Sequence, residues 1–104
     1  MIGLLAATTN GRRSAAHLAG AWPDARLYEG RAKEALRRAW NECDGIVLFL
    51  ANGAAVRLVA PLLESKLQDP GVVTVDDAGN FAVSLCGGHE GGANALAASA
   101  AQAR

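Results

Sequence analysis

Apolar residues fall in short unbroken runs separated by stretches of helical spacing. Residues 2–7 (IGLLAA) form one such run, ended by Thr8-Thr9-Asn10-Gly11. That reads as a buried strand running into a turn. Residues 12–22 then place Ala15, Leu18, Ala19 and Trp22 at helical intervals, before Pro23 and Asp24 stop them. Residues 26–28 are a short strand candidate. Residues 31–42 set Ala32, Leu36, Ala39 and Trp40 on one helical face and charges on the other. Residues 46–51 (IVLFLA) lack polar alternation, as a strand covered on both faces should. Residues 53–63 read as a helix that Pro61 disturbs late. Residues 72–75 and 81–85 are two strand-like runs joined by Asp76-Asp77-Ala78-Gly79-Asn80, which marks a hairpin. Residues 87–92 are a glycine-rich loop. Residues 93–104 form a last Ala-rich helix with the stripe Ala93, Leu96, Ala97, Ala100 and Ala101.

The order β-α-β-α-β-α-β-β-α predicts an α/β three-layer sandwich with a mostly parallel sheet and one late hairpin. Right-handed crossovers would put helices on both faces. The length of 104 residues suits a single domain, 1–104. Ten basic residues balance ten acidic ones, which argues against a general nucleic-acid binder while leaving room for a local anion pocket. Cys43 and Cys86 lie far apart with no metal-ligand spacing, so neither a metal site nor a disulfide framework is expected. The apolar runs are too short to span a bilayer, and no basic leader precedes them, so a soluble cytoplasmic chain is expected.

Ligands of open parallel sheets bind beyond the carboxyl ends of the strands. Three segments are expected there: Thr8-Thr9-Asn10-Gly11, Asn52-Gly53, and residues 87–94. The last, Gly87-Gly88-His89-Glu90-Gly91-Gly92-Ala93-Asn94, matches neither the P-loop nor the dinucleotide fingerprint. It offers close backbone approach and one imidazole able to act as a base near neutral pH, with Glu90 beside it. A plain glycine turn with a surface histidine accounts for the same residue types. Arg57, in an otherwise apolar helix, either grips a carboxylate or snorkels to solvent. Lys66 and Asp69 read as solvated charges, and Asp76 or Asp77 as a cap of the hairpin turn. His17 reads as a partly buried structural residue, and Trp22 and Trp40 as core.

From Gly53 onward a longer pattern emerges. Val56-Arg57, Ala60-Pro61-Leu62-Leu63, Lys66, Asp69-Pro70, Val72-Val73, Val75-Asp76, Gly79, Phe81, Leu85, Gly88-His89, Gly91-Gly92-Ala93-Asn94 and Leu96-Ala97 recur at fixed offsets. This string resembles the N-terminal domain of the CbiG family, the cobalt-precorrin-5A hydrolases of cobalamin biosynthesis. The Thr8-x-x-Gly11 turn and Cys43-Asp44-Gly45 also fit it.

The resemblance implies opening of the δ-lactone of cobalt-precorrin-5A, with acetaldehyde released and cobalt-precorrin-5B formed. It implies His89 as the base and Glu90 as its helper. Thr8, Thr9, Asn10, Gly53, Arg57, Lys66, Gly88 and the N–H groups of Gly91, Gly92 and Ala93 would hold the tetrapyrrole's carboxylate arms. Asn94 would orient the lactone carbonyl or cap the helix. No protein cofactor is implied, since cobalt travels with the substrate. The family's further C-terminal domain is expected to lie outside this chain. A missing domain or another enzyme of the pathway is therefore an expected partner, and the Ala-rich helix leaves a homodimer open. A non-catalytic corrinoid-binding domain is the alternative function.

Overall fold

The computed structural model describes residues 1–65, 68–76 and 82–87. The chain runs β1 (Ile2–Ala6), α1 (Thr9–Ala21), β2 (Ala25–Leu27), α2 (Ala32–Glu42), β3 (Gly45–Phe49) and α3 (Asn52–Val59). A 3-10 turn (Ala60–Leu62), β4 (Gly71–Val75) and β5 (Ala82–Cys86) follow. The sheet order is β2-β1-β3-β4-β5. The first four strands are parallel, and β5 pairs antiparallel with β4. The late hairpin and the mostly parallel sheet are therefore as the pattern predicts.

Chain direction explains the layers. The step from β1 to β2 moves one way across the sheet; the steps to β3 and β4 move the other. Right-handed crossovers must then put α1 on one face and α2 and α3 on the opposite face. The core divides accordingly. Leu4, Ala6, Val47, Phe49, Val73 and Val75 pack with Ala15 and Leu18 of α1. Leu5, Ile46, Leu48 and Val72 pack with Ala35, Leu36 and Ala39 of α2 and Ala55 and Val59 of α3. Strand alternation sends successive residues to opposite layers, so every residue of β3 is buried. Each fully buried Leu or Ile contributes about 1.5–3 kcal/mol over an exposed one. Trp22 and Trp40 are half-buried against the two core layers, as expected.

Several local expectations change. The helix after β1 begins at Thr9, not at residue 12, because Thr8 is its N-cap: the Thr8 Oγ1 accepts from the Gly11 N–H at 3.0 Å. The predicted turn is the first turn of helix. His17 is exposed rather than partly buried. It is about 200° around the helix from Ala15 and about 100° from Leu18, off the stripe that meets the sheet. Pro61 does end the α-helical hydrogen bonding, which closes at Val59 and passes into the 3-10 turn. Asp69 is no idle surface charge: its carboxylate accepts from the Glu64 and Ser65 N–H groups at 3.0–3.2 Å and shapes the loop before β4. The Ala-rich segment 93–104 lies outside the described residues.

Polar contacts tie the end of β2 to α2: Arg26 of β2 pairs with Glu42 at 3.7 Å, and Tyr28, the next residue after β2, reaches the same carboxylate. The Tyr28 hydroxyl donates to Glu42 Oε1 at 2.5 Å and lies 3.4 Å from Cys43 Sγ. Burial first, and then these hydrogen bonds, push the Tyr28 hydroxyl well above its ordinary pKa.

Candidate functional site

Sheet direction sorts the candidate residues into two groups at opposite ends of the strands. At the carboxyl ends of β1 and β3 the chain order reverses, the usual crevice of an open α/β sheet. Exposed Thr8, Thr9 and Asn10 occupy the β1 side, and exposed Asn52 and Gly53 the β3 side. Gly11 holds the first turn of α1 against β3. A Cβ there would stand 3.1 Å from the Phe49 carbonyl oxygen and 3.1 Å from Ala6 Cβ.

Asn52 opens α3 after Ala51, which provides no side-chain cap. Its carboxamide oxygen accepts from the Thr74 hydroxyl across from β4. Thr74 is 2% exposed, the one buried polar residue of the described core. Leu50, Ala51, Asn52, Thr74, Asp76 and Val83 line a depression of about 270 Å³. Asp76 thus belongs to this strand-end cluster, and sequence reasoning passed over Thr74. A polar residue in an otherwise apolar strand (GVVTV) is the signal that marks it.

The glycine-rich loop does not begin at this rim. Because β5 runs antiparallel, Cys86 pairs with Val72 at the start of β4. Gly87 therefore leaves the sheet at the end opposite Thr8–Asn10, correcting the expectation that all three segments gather beyond the carboxyl ends. The carboxyl-end rule holds for parallel strands, and the hairpin reverses the last one. Gly87 has φ +68° and its Cβ would lie 3.0 Å from the Gly71 Cα and the Pro70 carbonyl oxygen, so glycine is required twice over. Gly88, His89, Glu90, Gly91, Gly92, Ala93 and Asn94 lie outside the described residues, as does Lys66.

Two motif-bearing segments meet at this end. Leu63, Glu64, Ser65 and Asp69 from one and Cys86 and Gly87 from the other line a depression of about 280 Å³. Lys66 falls in sequence within the first segment, and His89 follows two residues after the second. Burial, and then the nearby Asp69 carboxylate, raise the Cys86 thiol pKa above its ordinary value, so this wall is a weak nucleophile. Arg57 belongs to neither end. It is exposed on α3 and lines a third depression with Lys33 and Arg37. Among the described residues no group of three or more His, Cys, Asp or Glu side chains could hold a metal ion. Nor is any described helix long and apolar enough to cross a membrane.

Known proteins with these features point one way. Residues 34–104 match the model of the family described as cobalamin synthesis G N-terminal. A cobalt-precorrin-5A hydrolase of Salmonella typhimurium is 41% identical over 69 residues, covering 66% of this chain and 20% of that protein. Its counterpart from Priestia megaterium is 37% identical over 70 residues, covering 67% and 19%. The crystal structure of a cobalamin biosynthesis protein G homolog from Sulfolobus solfataricus superposes with a TM-score of 0.82 at 30% identity. It covers 98% of this chain and 33% of that one. The chain thus spans about a fifth of the length of the curated relatives it matches. With a family match over more than half its residues and the same fold in a solved homolog, the chain belongs to the cobalamin synthesis G N-terminal family.

Proposed function

We propose that this chain is the N-terminal domain of a cobalt-precorrin-5A hydrolase and acts in cobalamin biosynthesis. The observation that carries the reading is geometric. Leu63 and Asp69 of the family pattern line one depression together with Cys86 and Gly87, the residues that precede Gly88-His89 in sequence. The named relatives support the same reaction.

The reaction adds water across the lactone. An oxygen of water bonds to the carbonyl carbon, the ring C–O bond breaks, and the ring oxygen leaves as a hydroxyl. The two-carbon fragment then departs as acetaldehyde; the pair from its C–C bond stays with the macrocycle and the hydroxyl proton is lost. His89 takes the proton of the attacking water, and Glu90 orients it. Lys66 and the N–H groups of Gly91, Gly92 and Ala93 hold carboxylate arms, and Asn94 orients the lactone carbonyl. Cobalt enters as part of the substrate.

A second reading makes this a corrinoid-binding domain whose reaction is completed elsewhere. Its support is the fraction of the relatives' length that the chain spans. Titration with cobalt-precorrin-5A, following the corrinoid spectrum and acetaldehyde together, separates the two. The hydrolase reading expects acetaldehyde, and His89→Ala should lower its rate at least about 100-fold while binding persists. Equal turnover by that variant would remove His89 from the mechanism. Binding without acetaldehyde selects the second reading. No spectral change and no acetaldehyde would refute both.

A further inference from the structure

The groove between α2 and α3 gathers positive charge without compensation. Lys33 and Arg37 stand one turn apart on α2, and Arg57 joins them from α3. Leu58, Pro61 and Leu62 complete the lining of a depression of about 250 Å³. Among the described residues no acidic side chain lines it, and none of the three cations is in an ion pair. The whole chain is neutral, so this cluster is not the by-product of a basic surface. Like charges gathered at one place repel, and a bound anion relieves that repulsion. Guanidinium groups are weakly hydrated and match carboxylate and phosphate in bidentate fashion.

We infer that this groove binds a small organic polyanion: an apolar ring bearing two or three carboxylates or phosphates. The ring would rest on Leu58, Pro61 and Leu62 while the anionic groups reach Lys33, Arg37 and Arg57. A small ligand fits better than a protein segment, because the cations converge on one depression from two helices rather than following one face. The groove shares no lining residue with the depression beside Gly87, so the inference stands whether or not the hydrolase reading does.

The test titrates benzene-1,3,5-tricarboxylate into the 104-residue chain at low salt, read by backbone amide NMR. Saturable shifts are expected at Leu58 and Leu62. Arg37→Gln and Arg57→Gln should each weaken binding about tenfold, the loss of one charge-assisted bidentate contact. Propane-1,2,3-tricarboxylate, equal in charge but without the ring, should bind about fivefold more weakly. Arg13→Gln, outside the groove, should leave affinity unchanged. All these side chains are exposed, so each variant should fold. Equal binding by the Arg37→Gln/Arg57→Gln double variant, or no saturable shift, would overturn the inference. An acidic peptide that binds where the tricarboxylate does not would also overturn it, in favour of a protein-docking face.

Discussion

Two glycines of the same helix should respond to alanine with opposite signs. Helix propensity alone favours alanine over glycine by up to about 1 kcal/mol, so it predicts stabilisation at both Gly11 and Gly20 of α1. The surroundings differ. At Gly20 a Cβ meets nothing within 4 Å, and Gly20→Ala should stabilise by about 0.5–1 kcal/mol. At Gly11 it meets Thr8 Oγ1 at 3.0 Å, Ala6 Cβ at 3.1 Å and the Phe49 carbonyl oxygen at 3.1 Å. Two of these belong to sheet strands and cannot rotate away, while displacing the Thr8 oxygen weakens the cap. Overpacking of this kind costs about 1–3 kcal/mol, which exceeds the propensity gain. The net expectation for Gly11→Ala is a loss of about 1 kcal/mol, or about 4–8 °C in Tm for a domain of this size. Urea unfolding followed by far-ultraviolet circular dichroism measures both, with unchanged m-values as the control. A gain at Gly11 equal to that at Gly20 would refute the close docking of α1 on β3. The placement of Thr8–Asn10 at the carboxyl ends of β1 and β3, which follows from that docking, would fall with it.

Two further substitutions probe the polar groups inside the fold. Thr74→Val removes the hydroxyl bonded to Asn52 but keeps the shape; it should cost about 0.5–1 kcal/mol, because exposed Asn52 regains water, and unchanged urea stability would count against that bond. Tyr28 binds its proton more tightly folded than unfolded, so its contribution is complete below its ordinary pKa near 10 and declines as pH rises above it. Tyr28→Phe should therefore lower neutral stability by about 1 kcal/mol and flatten the alkaline decline. An identical alkaline limb in wild type and variant would contradict the assignment.

Much of the fold was legible in local spacing. The IVLFLA run is apolar at every position because β3 is covered on both faces, and unbroken burial leaves that mark in any sequence. Pro61 ended a helix for a reason internal to one residue. The family pattern was equally local, a set of residue types at fixed offsets. What spacing could not convey was anything set by a distant partner. The direction of β5 depends on pairing with β4, and that direction alone decides that Gly87 leaves the sheet away from Thr8–Asn10. Thr74 and Asn52 meet only because β4 lies beside β3 in the order β2-β1-β3-β4-β5. His17 turned outward because the sheet lies against Ala15 and Leu18 of α1. Lys33, Arg37 and Arg57 are unremarkable as three separate charges; they become one basic groove when α2 and α3 settle on the same face. Helix and strand periods are written in neighbouring residues, whereas strand order and the gathering of charge arise from contacts between residues far apart in the chain.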